Sequence, residues 1–422
     1  MELALSLIQT AKLQCATELN LENCSLTELP DELFELSNLE TLHLSSPYSP
    51  WDEGRQSFIS IKSPNSGKPN KISVLPNAFK RLKRLKTLNA RWNPISDLSP
   101  LSQLPELTHL HVSDCQIRDL SPVAGIPTLQ SLHIGGNHIV DLKPLTTLKH
   151  LQSLMLWDNK VTDISVLSQL PALTELDLAG NQIDDIRPLA VLSELADLTL
   201  GFNKIKDLTP LSSLKKLFWL ELNDNQCRDL TGLSGLTRLE TLKLSDNNIK
   251  DLSPLSNLPA LYRLELRYNK LKDLSPLAQL PQLERLDLSF NKIKHLEPLT
   301  ALEELDTLDL FSNKVKHLSP LAAMSQLSTL NIGCNHVKHI EPLSHLKLLT
   351  ALDLSCNGIK DLSDISNMNQ LRKLDIWGNP IHDVQPLLGL LQLESLRIDE
   401  DYAPLVHPLT QSGRLTQVNT EV

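Results

Sequence analysis

Three histidines, His295, His317 and His339, recur at 22-residue intervals, and so do two cysteines, Cys334 and Cys356. Side chains at one offset on adjacent parallel strands stack about 5 Å apart, so this spacing lines imidazoles and thiols into columns. Imidazoles are metal ligands by type, but a closed zinc site needs ligands that converge, which a parallel column does not supply. No metal is expected. The column holds Asp207, Asp229, Asp251 and Asp273 before the histidines and Asp361 after them. Histidine there reads as a replacement for aspartate in accepting local backbone N–H groups. Beside it runs a basic stripe, Lys206, Arg228, Lys250, Lys272, Lys294, Lys316, Lys338 and Lys360. Where the carboxylates drop out, a basic edge patch remains that can hold an anion. A Cys334–Cys356 disulfide is sterically conceivable, but neighbouring parallel strands seldom orient both side chains for it. Cys24, Cys115 and Cys227, scattered through repeat positions, suit a reducing compartment.

Catalytic chemistry finds no support in the sequence. Ser, His and Asp follow the repeat and do not converge. Gly67-Lys68 lacks the earlier glycine of a phosphate-binding loop and runs into Pro69. A non-enzymatic chain without a cofactor is expected.

Binding chemistry is better supplied. Ten of the sixteen aromatics flank the recurring leucines: Trp92, Trp157, Phe202, Phe218, Trp219, Tyr262, Tyr268, Phe290, Phe311 and Trp377. Aromatic side chains dominate interface hot spots. Tyr268 and Phe290, each just before a recurring Asn, read equally well as half-buried edge residues. The same positions carry thirteen carboxylates, Asp158, Glu175, Asp177, Asp197, Glu221, Asp224, Glu240, Asp246, Glu265, Glu284, Asp287, Asp306 and Asp309, against four cations, Lys243, Arg263, Arg267 and Arg285. A same-sign concave surface steers a partner of opposite charge; solubility is the other reading. The net charge of −10 argues against general nucleic-acid binding.

The element that must position these residues is set by a leucine returning every 22 residues, fifteen times from Leu88 to Leu396. In Leu173-Thr-Glu-Leu176-Asp-Leu178-Ala-Gly-Asn181, Leu176 and Leu178 alternate with Glu175 and Asp177, the period of a half-buried strand. One coil buries too little to offset the ordering of its backbone, so coils must stack into a parallel sheet over a shared aliphatic core. An amide with donor and acceptor can satisfy buried loop backbone, which assigns a structural role to Asn93, Asn137, Asn159, Asn181, Asn203, Asn225, Asn247, Asn269, Asn291, Asn313, Asn335, Asn357 and Asn379. Cys115 interrupts that column. Ser-Pro pairs such as Ser99-Pro100 and Ser253-Pro254 offer an N-cap and a first helical residue for a short turn on the outer face.

Residues 1–15 read as an N-terminal capping helix, with Leu3, Leu7, Ile8 and Ala11 over the end of the core. The solenoid spans 16–398 and 399–422 form a C-terminal cap or tail. Leu42 and Leu88 are 46 apart with no strand between them, so about 46–71, with Tyr48, Trp51 and Phe58, are an inserted loop, either a disordered excursion or an ordered flap. The start has no basic segment before its apolar residues, so a signal peptide is not expected, and no apolar run is long enough to span a membrane. Thr420-Glu-Val422 matches a minimal carboxylate-ligand pattern, too short to carry weight.

The pattern L-x-x-L-x-L-x-x-N-x-I-x-D-L-x-P-L is the signature of a leucine-rich-repeat solenoid, an α/β fold with a curved parallel sheet on its concave face and short 3-10 turns on its convex face. From Leu85 to about Ile398 the coils resemble those of internalins and of phosphatase-regulatory leucine-rich-repeat proteins. Ala11-x-x-x-x-Ala16-Thr-Glu-Leu-Asn-Leu21 with Leu26-Thr-Glu-Leu-Pro30 resembles the opening repeats of bacterial Roco-type proteins, although the GTPase motif is missing. The expectation is a cytoplasmic scaffold, adaptor or regulatory subunit whose concave face binds a protein or peptide with a basic, apolar surface, and neither nucleic acid nor membrane. The alternatives are a sensor arm working with a separate GTPase, kinase or phosphatase, and an internalin-like surface adhesin.

Overall fold

The computed structural model describes residues 1–45, 51–52, 57–58, 65–406 and 417–421. The chain divides into two compact units, Met1–Ile205 and Lys206–Val422. Within each, a turn of chain makes a short strand, bends, forms a 3-10 helix of three to five residues in most coils, and repeats at the same offset.

The first unit opens with the helix Glu2–Leu13, which lies against the strand Glu18–Asn20. It buries Ala4, Ile8 and Ala11. The sequence points to a face containing Leu3 and Leu7, yet Leu3 is exposed and Leu7 half-buried. Ile8 and Ala11 are buried as expected, and Ala4 takes the place of Leu3, because its small side chain lets the helix backbone approach the first coil. Parallel pairing then runs in register from Glu18–Asn20 through Thr41–His43, Thr87–Asn89, His109–His111, Ser131–His133, Ser153–Met155 and Glu175–Asp177 to Asp197–Thr199.

In the inserted segment, Trp51–Asp52 and Ser57–Phe58 pair antiparallel. Tyr48 and most of the expected loop lie outside the described residues. The insertion returns to the coil before residue 71. Asn70 accepts the Leu26 N–H at 2.9 Å and donates to the Leu21 and Leu44 carbonyls at 2.8 Å each, which is the work of the repeated asparagine. Its signal was in the sequence: Asn70 precedes Ile72 by two, as Asn93 precedes Ile95.

In the second unit the register runs from Trp219–Glu221 through Thr241–Lys243, Arg263–Glu265, Arg285–Asp287, Thr307–Asp309, Thr329–Asn331, Ala351–Asp353 and Lys373–Asp375 to Ser395–Asp399. A further strand, Gln417–Glu421, pairs parallel with Ser395–Asp399 and sets Val418 opposite Leu396. The 22-residue interval thus continues one step beyond the leucines. Thr420 and Glu421 belong to that strand, opposite Ile398 and Asp399.

The core is aliphatic. Leu173, Leu176, Leu178, Ile183, Ile186, Leu189 and Leu192 of one coil are all buried. Each asparagine then ties two coils together. Asn159 accepts the Ile139 N–H of the coil before it at 2.9 Å and donates to the carbonyls of Ile134, Leu156 and Trp157 at 3.0–3.2 Å. The 3-10 helices start differently from the sequence expectation. Ser99 is the first helical residue, not the cap, and Asp97 accepts its N–H at 2.8 Å. A carboxylate two residues back reaches that N–H directly, leaving the serine hydroxyl no capping role. No helix among the described residues is long and apolar enough to cross a membrane.

Candidate functional site

Strand alternation turns the residues on either side of each central leucine outward, and in-register pairing stacks them into columns. In the second unit one column reads Glu221, Lys243, Glu265, Asp287, Asp309, Asn331, Asp353, Asp375, Arg397. Its ends are internally paired: Lys243 Nζ lies 3.5 Å from Glu221, Arg263 2.8 Å from Glu265, and Arg397 3.1 Å from Asp375. Among the described residues no cation comes within 4 Å of Asp287, Asp309 or Asp353. Each of those carboxylates instead accepts the N–H two residues on, from Ser289, Phe311 and Ser355 at 2.8–2.9 Å. Asp375 does the same for the Trp377 N–H at 3.1 Å, so four of the six acids in the column also serve the framework. Burial, opposed by these hydrogen bonds and assisted by neighbouring carboxylates, still raises Asp287 and pushes Asp309 up to about 6.

The residue before each asparagine sits in the left-handed region. In the second unit these are Asp224, Asp246, Tyr268, Phe290, Ser312, Cys334, Cys356 and Gly378, with φ between 50° and 71°. Glycine adopts that conformation freely and aspartate tolerates it, whereas a bulky side chain there is strained. Tyr268 and Phe290 nevertheless occupy adjacent coils of the column, their rings stacked at 4.1 Å, and Phe311 continues the strip at 5.3 Å from Phe290. The Arg267 guanidinium lies 4.8 Å from both the Tyr268 and Phe290 ring centres. Tyr268 is 43 % exposed; Phe290 and Phe311 are half-buried.

Beyond Phe311 the face opens. Gly333 and Ser355 follow it in the same column before Trp377, and a hollow of about 390 Å³ lies over Asp309, Asn331, Asp353 and Asp375. A Cβ on Gly333 would stand 2.9 Å from the Phe311 ring and 2.7 Å from Ser355 Oγ, so only glycine leaves this ring where it is.

The remaining expected residues are dispersed. In the second unit, half-buried Trp219 lies under Lys243 at 4.5 Å, Trp377 under Arg397 at 5.0 Å, and Tyr262 is half-buried. In the first unit, Trp92 and Phe202 are exposed at left-handed positions. Trp157 lies over Gly135, whose Cβ would meet its ring at 2.3–2.5 Å. Asp177 accepts the Ala179 N–H at 2.9 Å.

The first unit also carries a histidine group that the column reading overlooked, although His109-x-His111 with His133 signals it. His111 and His133 stack at 4.1 Å. Burial, with His109, Arg91 and His43 beside His111 and with His111, Arg91 and His109 beside His133, pushes them down to about 4 and about 3. Among the described residues no group of three metal-type ligands converges. Cys334 and Cys356 are free thiols.

Repeat patterns match along most of the array. The pattern described as "Leucine Rich repeats (2 copies)" fits residues 83–125, 127–169, 149–191, 171–213, 237–279 and 259–304, and "Leucine rich repeat" fits 325–381. The chain is a leucine-rich-repeat protein. It is similar to a leucine-rich-repeat protein of Leptospira interrogans, with 26% identity over 93% of this chain and 98% of that one and a TM-score of 0.80. An internalin from Listeria monocytogenes is 29% identical, covering 75% of this chain and 88% of its own, with a TM-score of 0.63. The Arabidopsis receptor kinase HAESA, solved with the peptide hormone IDA and the co-receptor SERK1, shares the fold at 17% identity and a TM-score of 0.64, covering 92% of this chain and 75% of its own. Among curated proteins, no sequence relative matches the chain. Leucine-rich-repeat proteins are generally non-enzymatic scaffolds for protein interactions.

Proposed function

We propose that this leucine-rich-repeat protein is an adaptor or regulatory subunit that docks a basic, apolar protein segment on the sheet face of its second unit. The strip Tyr268, Phe290 and Phe311 carries this reading. Two of its three members hold left-handed backbone that glycine or aspartate would adopt at lower cost, so the framework gains nothing from aromatics there. Beside them, Asp287, Asp309 and Asp353 have no cation within 4 Å among the described residues, which favours a Lys- or Arg-bearing partner. The aromatic strip supplies apolar contact area and the carboxylates set charge preference. A cytoplasmic setting is part of the same proposal, supported by the unlinked Cys334 and Cys356.

The test is affinity purification of the full chain with quantitative mass spectrometry, run beside a Phe290→Ala/Phe311→Ala variant. A partner enriched by the parent and lost with the variant is expected, and it should carry a basic segment whose removal also abolishes capture. Partners retained in full by the variant would overturn the assignment.

A further inference from the structure

Six coils of the second unit begin their 3-10 helix in one way. Asp207, Asp229, Asp251, Asp273, Asp361 and Asp383 each accept the backbone N–H two residues ahead, at 2.8–2.9 Å. Three consecutive coils between them differ. His295, His317 and His339 stand in the column, and among the described residues no side chain accepts the N–H of Glu297, Ser319 or Glu341. Histidine therefore does not take over as the turn acceptor, a correction to the sequence reading, because the imidazole does not reach the N–H that the shorter carboxylate does. The framework forfeits a hydrogen bond three times in succession and gains none in return.

What the substitution changes is charge. Each coil edge is locked to the next by the bonds Lys292 N–H to Leu271, Lys314 N–H to Ile293 and His336 N–H to Val315, at 2.9–3.0 Å. Equal offsets therefore stack about 5 Å apart. The three edges carry Lys292, Lys294, His295; Lys314, Lys316, His317; and His336, Lys338, His339, all exposed. Five lysines and four histidines form an array in which the usual aspartates are missing. Its carboxylates are Glu297, 3.9 Å from His295, and Glu341, with Asp364 of the next coil interacting with His339. Between the second and third edges lies a hollow of about 660 Å³ lined by Lys316, His317, Ser319, His336, Lys338 and His339, with Glu341 at its side.

We propose that this hollow is a binding site for clustered phosphate groups. Ammonium and imidazole donors surround it from two coils, and charge-assisted hydrogen bonds to phosphate oxygens are the strong ones for such donors. The spacing of the array favours several phosphates over one. The edge residues are distinct from those of the sheet face, so the two sites can be tested apart.

The experiment is calorimetric titration of the full chain at physiological salt with inorganic tripolyphosphate, and in a second arm with phosphatidylcholine vesicles bearing a phosphoinositide bisphosphate. Lys316→Glu/Lys338→Glu should weaken binding about tenfold or more, whereas Lys250→Glu/Lys272→Glu, on edges that keep Asp251 and Asp273, should change it less than about twofold. His317→Asp/His339→Asp restores the residue of the neighbouring coils, so it should hold or raise the melting temperature while still weakening binding. Binding of either probe that follows this order supports the site, and the arm that binds identifies a soluble or a lipid source. Binding of neither probe, binding that survives both hollow variants, or equal loss in the Lys250/Lys272 control overturns the proposal.

Discussion

Asn331 Nδ2 donates to Asp309 Oδ2 at 3.2 Å, so an amide and a carboxylate in one column touch across adjacent strands. Both do the same local work: Asp309 accepts the Phe311 N–H at 2.8 Å and Asn331 the Gly333 N–H at 3.1 Å. The framework therefore does not need the charge at 309. With Asp309 pushed up to about 6, its ionisation opposes folding. Stability linked to it is complete below the usual carboxylate range and is lost as pH rises through about 6. Asp309→Asn should raise unfolding stability above pH 7 by about 1 kcal/mol, less than the full linkage because Asn331 then faces a second amide. Urea unfolding measures this, and a fall in stability would show that the buried charge is not penalised.

The stacked His111 and His133 give the opposite sign. Pushed down to about 4 and about 3, they stay neutral in the folded chain, while in the unfolded chain they take up protons near about 6.5. The unfolded state binds more protons between those values, so stability is lost as pH falls through that window. Hydrogen exchange, corrected for intrinsic rates, should lose protection in the strands His109–His111 and Ser131–His133 between about pH 7 and about pH 5. Thr307–Asp309 should hold or gain protection as Asp309 is relieved. Parallel loss in both places would count against the histidine account.

Cys115 is a weak substitute in the asparagine column. Its Sγ reaches the Ala90 and Ser113 carbonyls at 3.6 and 3.5 Å. Asn137, one coil on, accepts one N–H and donates to three carbonyls at 2.9–3.1 Å. Cys115→Asn should add about 1 kcal/mol, and Asn159→Ala should remove about 2–3 kcal/mol by stranding buried backbone groups. Denaturant midpoints give both values, and exchange should show each effect confined to adjacent coils.

Legibility followed the repeat. Leucine and asparagine columns declare themselves because one physical requirement recurs at a fixed interval, so strands, core and register could be read from Leu88 to Leu396. Departures from the interval were harder. Asn70 hid behind the insertion, and Val418 behind a non-leucine. The helix face at Ala4 was missed because hydrophobicity favours Leu3 while close approach favours alanine. At the candidate site, aromatics and acids were visible by position. What the sequence could not express was which carboxylates are already satisfied: Glu265 by Arg263 and Asp375 by Arg397, and Asp287 by the N–H and hydroxyl of Ser289. Nor could it show that Tyr268 and Phe290 hold left-handed φ, since neither type announces it.

The strip and the hollow beside it yield a linked expectation for binding. Phe311→Ala should weaken a partner by about 1–2 kcal/mol, while Trp92→Ala, in the first unit, should leave affinity unchanged. Gly333→Ala removes no side chain, yet its Cβ would crowd the Phe311 ring at 2.9 Å. It should therefore weaken binding by displacing that ring. Because both changes act through one ring, the double variant should bind no worse than Phe311→Ala alone, a non-additivity that a double-mutant cycle reads directly. Additive losses would mean that Gly333 touches the partner independently. If Phe311→Ala has no effect while Trp92→Ala abolishes binding, the docking face belongs to the first unit.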